Sequence, residues 1–226
     1  MMDLLMQVMP NVVERFDIFV ESIYETLIMV IVSGFFSIVL GIIMGVILVV
    51  TRPGDILENK WLYSFLGKVV DLFRAAPFLI LAFVLTPLSQ MVMGTSIGLK
   101  GAFIPLIIGT APFCARQMEQ ALAETDKGLV EASQSMGFSP LEIIWKVYLK
   151  ESIPSMIRGA TITLISMISL TAILGVTGSG GVGVFCINYG YNQSNFDILW
   201  TSLAVLVLLT IIVQAIGNYF VKKTTH

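Results

Sequence analysis

KGLVEASQSMGFSPLEIIWKVYLKESIP, residues 127–154, is the longest charged segment between hydrophobic runs in this chain, yet its pattern is that of helices rather than of a loop. Leu129, Val130, Ala132, Ser133 and Met136 read as one face of a short helix, and Gly137 stops it in the manner of a left-handed C-cap. A second helix begins at once. Ser139 stands as its N-cap, Pro140 sits in the first turn where no donor is needed, and Glu142 completes a capping box. Leu141, Ile144, Val147 and Tyr148 then form a second apolar stripe. A mere connection between hydrophobic runs has no use for two capped amphipathic helices with a tight elbow between them, so this stretch is expected to dock.

The flanking sequence is strongly apolar. Of 226 residues, 56% are hydrophobic and 12% charged, where an average soluble domain carries roughly 25% charged residues. Mean hydropathy is +0.90. Such a chain has more apolar surface than a water-soluble core of its length hides, so lipid is its solvent over much of its length. The net charge of −2 and the lack of any basic run argue against nucleic acid as a partner. Cys114 and Cys186 lie in or beside apolar segments without metal-ligand spacing and read as small buried hydrophobes. The opening MMDLLMQVMP carries Asp3 and no basic flank before an apolar core, unlike a cleavable signal peptide.

Residues 1–25 scatter acids and Arg15 among apolar positions, which suits an amphipathic lead-in at the membrane interface. Thr26 to Thr51 carries no charge; about 20 helical residues at about 1.5 Å each already cross a hydrocarbon core of roughly 30 Å. Within this first span Ser33, Ser37, Gly41 and Gly45 make a small-residue stripe that lets another helix approach closely. Residues 52–68 read as an aqueous connection, and a second span is expected from Val69 to Met93, bent at Pro77 and Pro87. Asp71 with Arg74, and Arg116 with Glu119 near the end of a third span over Gly101–Leu122, are i,i+3 pairs. After the docking loop, taken as 124–154, a fourth span is expected over Ser155–Val176, broken by GVTGSGGVGVF. NYGYNQSN then reads as a polar surface loop, and the fifth span covers Asp197–Phe220. The expectation is an all-α polytopic membrane protein with five transmembrane helices, a single domain over 20–220, and the docking loop between spans three and four. With that loop in the cytoplasm, eleven of the Lys and Arg residues fall inside and only Arg15 and Lys100 outside, which places the N-terminus outside and the C-terminus inside.

Several chemistries are missing. Gly178, Gly180 and Gly183 spell GxGxxG, with Asp197 downstream, but a dinucleotide site needs a strand before that turn inside a soluble βαβ unit, and a membrane helix stands there instead. No GxxxxGK[ST] occurs, so the chain has no phosphate loop of its own. The single histidine is His226, and no cluster suggests a metal, cofactor or catalytic site. No expected span carries a carboxylate near its middle, which argues against an ion-driven carrier. Several spans, no internal energy source and a docking element together describe a translocation pathway driven from outside the chain. Two other readings stay open: a carrier or channel acting alone, and a membrane scaffold whose loop recruits a cytosolic enzyme.

The docking stretch resembles the coupling loop of permease subunits in bacterial ATP-binding-cassette importers. That family's loop carries an EAA pattern with a glycine six residues after the Glu, and Glu131, Ala132, Ser133 and Gly137 stand in those places. Where the family favours Ile-x-Leu-Pro, this chain has Val147, Tyr148, Leu149 and then Lys150, with Pro154 four residues later. RAAPFLIL (74–81), GTSIGL (94–99), APFCARQMEQAL (111–122), the GSGGVG turn and YGYN (189–192) are similar to the methionine importer permeases in particular. The resemblance implies the type I importer permease fold in a bacterial inner membrane, as a homodimer docked on two ATPase subunits and fed by an extracytoplasmic methionine-binding protein. It implies ATPase-coupling roles for Leu129, Glu131, Ala132, Ser133, Met136 and Gly137. Thr163, Ser166, Ser169 and Thr171 are candidates for the pathway lining, or else hydrogen-bonding glue between helices. A permease of the same kind for a different small polar solute is a further alternative.

Overall fold

Inside a bilayer no water reaches backbone amides and carbonyls, so a crossing segment satisfies them within itself as helix. The computed structural model describes residues 9–225, and no strand occurs among the described residues. In chain order the helices are α1 (Pro10–Glu14), α2 (Phe16–Thr51), α3 (Lys60–Ala75), α4 (Phe78–Val84), α5 (Thr86–Met93), α6 (Gly98–Ala123), α7 (Lys127–Ser135) and α8 (Pro140–Ile143). A π-helical turn (Ile144–Tyr148) leads into α9 (Leu149–Glu151), and α10 (Ile153–Leu174) is prolonged by a 3-10 turn (Gly175–Thr177). α11 (Gly181–Phe185), a second π-helical turn (Cys186–Tyr191) and α12 (Phe196–Thr224) complete the chain.

Among the described residues, four helices are long and apolar enough to cross a membrane: α2, α6, α10 with its 3-10 extension, and α12. The expected second span is not one bent helix but three short ones, α3, α4 and α5. Proline disfavours the helical region for the residue before it, and Ala76, ahead of Pro77, is extended at φ −69°, ψ 130° and ends α3. Pro87 lies in the first turn of α5, where its missing N–H is no loss. The aqueous connection is also shorter than expected, because Asn59 caps α3 by accepting from the Leu62 N–H at 3.0 Å. At the N-terminus, α2 starts at Phe16, so the lead-in expected over 1–25 runs into the first long helix instead of standing apart. α1 is clasped: Asn11 donates from its backbone N and its Nδ2 to Asp197 at 2.9 and 3.0 Å. Asp3 lies outside the described residues. NYGYNQSN is partly helical, since Asn188–Tyr191 belong to the second π-helical turn.

The chain divides into two packing units. One holds residues up to Phe35, Pro77–Gly109 and Leu164–Val213; Met29, Leu106, Met167 and Leu174 form one core there, and Val12, Phe19, Phe185 and Ile198 another. The second holds Phe36–Ala76, Thr110–Thr163 and the residues from Gln214 on. In it α2 and α6 cross at the expected stripe: a Cβ on Gly41 would meet Cys114 Sγ at 2.5 Å, and one on Gly45 would meet Met118 Cβ at 2.6 Å. Cys114 is wholly buried in that crossing. Arg116 ties α6 to α3, donating to Asp71 at 2.8 Å, to the Gly67 carbonyl at 3.1 Å and to Glu119 on its own helix.

A side chain at the α2–α6 crossing forces the helices apart. Gly45→Leu in a Cys186→Ser background is therefore expected to destabilise the protein by ~1–3 kcal/mol, the usual range for overpacking. It should also open Cys114 to a maleimide in mild detergent. Unchanged melting together with unchanged labelling would contradict the close crossing.

Candidate functional site: the elbow between α6 and α10

The ends of the loop over 124–154 are pinned together. Thr125 and Ser152 share a buried hydroxyl–hydroxyl hydrogen bond of 3.0 Å, and Ser155 donates to the Glu124 carboxylate at 2.6 Å. Asp126 caps α7 by accepting from the Gly128 N–H at 2.7 Å. At the far end the Gly137 N–H donates to the Gln134 carbonyl at 3.0 Å and the Phe138 N–H to the Ser133 carbonyl at 3.1 Å, the paired bonds of a Schellman stop. Gly137 has φ +81°, and nothing lies within 4 Å of where its Cβ would be. The backbone conformation alone therefore selects glycine here.

The face expected on α7 splits in two. Val130 and Ser133 turn inward and are buried, whereas Leu129 is 46% and Met136 67% exposed, with Ala132 and Glu131 exposed as well. Helical geometry explains the division: Val130 and Ser133 are i,i+3 partners on one side, and Leu129, Ala132 and Met136 follow i, i+3, i+7 on another. Glu131 lies on the rim of a polar cavity of about 170 Å³ that also takes in Arg52, Lys127, Gln134 and Tyr148.

The second arm carries the expected capping box. The Ser139 N–H donates to Glu142 at 3.0 Å and the Glu142 N–H to Ser139 Oγ at 3.4 Å, while Lys146 Nζ donates to Glu142 at 2.9 Å. The Lys146 hydrogen bond, then those from Ser139, hold the Glu142 carboxyl down at about 2. Ile143, Ile144, Val147 and Tyr148 are buried, two adjacent pairs four residues apart, the spacing that puts side chains on one face of a helix. Leu141, expected in the buried stripe, and Trp145 point out instead, at 68% and 71% exposed. Ser152 ends the arm and Pro154 falls in the first turn of α10, so the proline absent at Lys150 is supplied where a new helix starts.

Tyr148 reaches out of this core to Asp55, donating at 2.8 Å to Oδ1 with Oδ2 at 3.0 Å. Arg52 Nε at 2.8 Å and the Ile56 N–H at 2.8 Å complete the carboxylate's partners, and the Asp55 side chain is only 4% exposed. Burial first, then the neighbouring Asp55 charge, push the Tyr148 hydroxyl well above its ordinary range, so it stays a donor. Sequence reasoning missed Asp55. The available signals were its i,i+3 spacing from Arg52 and a tyrosine in an apolar stripe, whose hydroxyl needs a partner when buried.

The hydroxyl candidates are placed unequally. Thr163 and Thr171 are buried, donating to the carbonyls of Gly159 at 2.8 Å and Ile168 at 2.7 Å in their own helix. Ser166 is half-buried, and Ser169 is exposed on an open groove between α10 and α12 that includes Ala172 and Thr210. The GSGGVG turn holds a carboxylate of this chain: the Gly181 N–H donates to Glu25 at 2.6 Å and the Val182 N–H to Thr26 Oγ1 at 2.9 Å. Asp197, the acid downstream of that turn, is the residue that clasps Asn11. His226 lies outside the described residues.

Removing the Asp55 carboxylate strands a guanidinium and a buried hydroxyl. Asp55→Ala and Tyr148→Phe are each expected to cost ~1.5–3 kcal/mol, the range for hydrogen bonds to charged groups. A double-mutant cycle by thermal unfolding in detergent should show coupling beyond ~0.5 kcal/mol, and strict additivity would disprove the join. Glu142 gives a pH signature. Its folded value lies below the ordinary 4.5, so its stabilisation is complete above that value and is lost as the pH falls towards about 2. Hydrogen exchange at the Ser139 and Glu142 amides should therefore rise in Glu142→Gln at pH 6, and the difference from wild type should shrink on acidification.

With this geometry in view, comparison with known proteins is specific. Residues 37–226 match the family described as binding-protein-dependent transport system inner membrane component. The chain is 41% identical over 210 residues to the probable D-methionine transport system permease protein MetI of Vibrio cholerae, covering 93% of each. It is 47% identical over 156 residues to the D-methionine transport system permease protein MetI of Escherichia coli, covering 69% of this chain and 72% of that one. It superposes on a chain of the inward-facing MetNI methionine ABC transporter with a TM-score of 0.92 at 42% identity, covering 94% of this chain and 99% of that one. An amino acid ABC transporter solved with histidines shares the fold, at TM-score 0.74 and 18% identity over 95% of this chain and 98% of that one. The fold is thus that of the type I ABC importer permeases, and the chain belongs to the family of inner membrane components of binding-protein-dependent transport systems.

Proposed function

We propose that this chain is the permease subunit of an ATP-driven methionine importer. Two copies form the translocation pathway, and each elbow docks on a separate ATP-binding-cassette ATPase. An extracytoplasmic binding protein delivers the amino acid. The observation that carries this reading is the elbow itself, with capped arms that turn Leu129, Met136 and Leu141 outward while the opposite side is joined to the end of α2 through Tyr148 and Asp55. An exposed apolar face on a rigidly held arm is what a partner's groove takes up, and movement of the partner then reaches the long helices as rigid-body motion. The relatives, D-methionine transport system permease proteins, support methionine as the substrate.

In this reading the elbow faces the cytoplasm, with the N-terminus outside and the C-terminus inside, in keeping with the eleven-to-two distribution of basic residues. Leu129, Ala132 and Met136 make the apolar contact with the ATPase, Glu131 offers it a carboxylate, and Ser133 and Gly137 shape the arm that presents them. Of the four hydroxyl candidates on α10, Ser166 and Ser169 are the accessible pair and line the pathway, whereas Thr163 and Thr171 brace the helix.

Gly137→Val forces a β-branched residue into a left-handed conformation at ~1–2 kcal/mol and misaims the arm. In proteoliposomes holding the permease, its ATPase and its binding protein, ATP-dependent methionine uptake should fall at least ~10-fold, which corresponds to ~1.4 kcal/mol. The variant should still insert in the membrane. Wild-type uptake by Gly137→Val would overturn the coupling role, and uptake by the permease without ATPase or ATP would overturn the class.

A further inference from the structure

A groove of about 600 Å³ opens on the second packing unit, away from the outward face of α7. Its floor is apolar: Ile42 of α2, Met118 of α6, Leu149 of α9, and Met156 and Ala160 of α10. Polarity is confined to one end, where Trp145, Lys146 and Lys150 line it. Those three precede Ile153, the first residue of a candidate membrane span, while the apolar floor follows that span inward. The groove therefore has the polarity of a lipid, with two ammonium groups and an indole N–H at the water end and hydrocarbon walls below.

The charges decide which lipid. Lys146 is shared with Glu142 at 2.9 Å and lies 5.0 Å from the centre of the Phe138 ring. Lys150 is exposed and makes no ion pair among the described residues. No carboxylate lines the groove. A second protein copy seated there would cover Lys150 with no counter-charge from the groove, an unfavourable burial. An acyl chain gains little by leaving other lipid for an apolar groove, because lipid tails are as apolar as the wall. Selection therefore rests on the headgroup, where each nearby Lys is worth ~1 kcal/mol towards anionic lipid, or ~5-fold. Trp145, 71% exposed, suits the headgroup level, where indole rings concentrate.

We propose that this groove binds an anionic phospholipid, its acyl chain along Ile42, Met118 and Ala160 and its phosphate between Lys146 and Lys150. The site is independent of the substrate and ATPase proposed above, since it requires only that the chain span a membrane. A lipid wedged between α2 and the second arm makes that arm sensitive to the surrounding bilayer.

The test is native mass spectrometry of the purified full-length chain released from nanodiscs of equimolar phosphatidylglycerol and phosphatidylcholine. Wild type should retain phosphatidylglycerol over phosphatidylcholine by ~5- to 25-fold, the span set by one or two effective cations. Lys150→Gln should reduce that preference ~5-fold, and Lys146→Gln/Lys150→Gln should abolish it. Lys222→Gln/Lys223→Gln, an equal charge change elsewhere, should leave it intact. Ala160→Phe, which fills the floor, should lower retention of both lipids. The proposal is overturned if wild type shows no headgroup preference, if the Lys146/Lys150 pair leaves it unchanged, or if the Lys222/Lys223 control lowers it equally. It is likewise overturned if Ala160→Phe retains lipid as wild type does, or if Ala160→Cys crosslinks to a second copy with no lipid retained.

Discussion

The hydrogen bond from the Tyr148 hydroxyl to the Asp55 carboxylate is the join on which the elbow depends. A carboxylate as buried as Asp55 is tolerated only with its lone pairs filled, and three elements fill them: Arg52, the Ile56 amide and Tyr148. Arg52 and Asp55 follow directly on Thr51, the last residue of α2, and Tyr148 belongs to the second arm. The arm therefore cannot swing away from α2 without stranding a charge. Val49, Val50, Leu122, Val130, Ile143, Ile144 and Val147 pack around the join in one core, which leaves the outward apolar residues free for a partner without loosening the inner side.

Lipid imposes a different economy on the long helices. Hydrocarbon tails do not drive apolar helices together, so association depends on how closely the backbones approach. Gly41 and Gly45 allow α2 to lie directly on Cys114 and Met118. The region of α3 to α5 resolves the same constraint by breaking. Its helices end at Ala76 and Leu85, where prolines already withhold an N–H, and restart within one or two residues, so few backbone groups are left without a helical partner.

The glycine-rich turn shows how one local geometry serves different ends. Backbone N–H groups exposed by glycines form a cradle for negative charge, and a GxGxxG turn in a soluble βαβ unit offers that cradle to a pyrophosphate. Here Glu25, with Thr26 beside it, fills the cradle from 156 residues away in sequence. The turn is thereby fastened to the early part of α2.

The residues by themselves determined whatever is encoded within one or two turns of helix. The lipid-spanning lengths of α2, α6, α10 and α12 follow from runs without charge, and the elbow's caps follow from Asp126, Gly137 and the Ser139–Glu142 box, each of which acts over at most a few residues. The EAA-like pattern at Glu131–Ser133 identified the family for the same reason. Tertiary structure alone decided which side of α7 is core, that Leu141 faces outward, and that Asp55 is a structural centre rather than a loop charge. These outcomes rest on partners far along the chain, Tyr148 lying 93 residues from Asp55, and periodicity gives a helix two faces without saying what covers either one. That the region read as the second span is divided into α3, α4 and α5, not bent as one helix, was hidden on the same ground: a proline is visible in sequence, but whether it bends or ends a helix depends on which neighbours take over the carbonyls it frees.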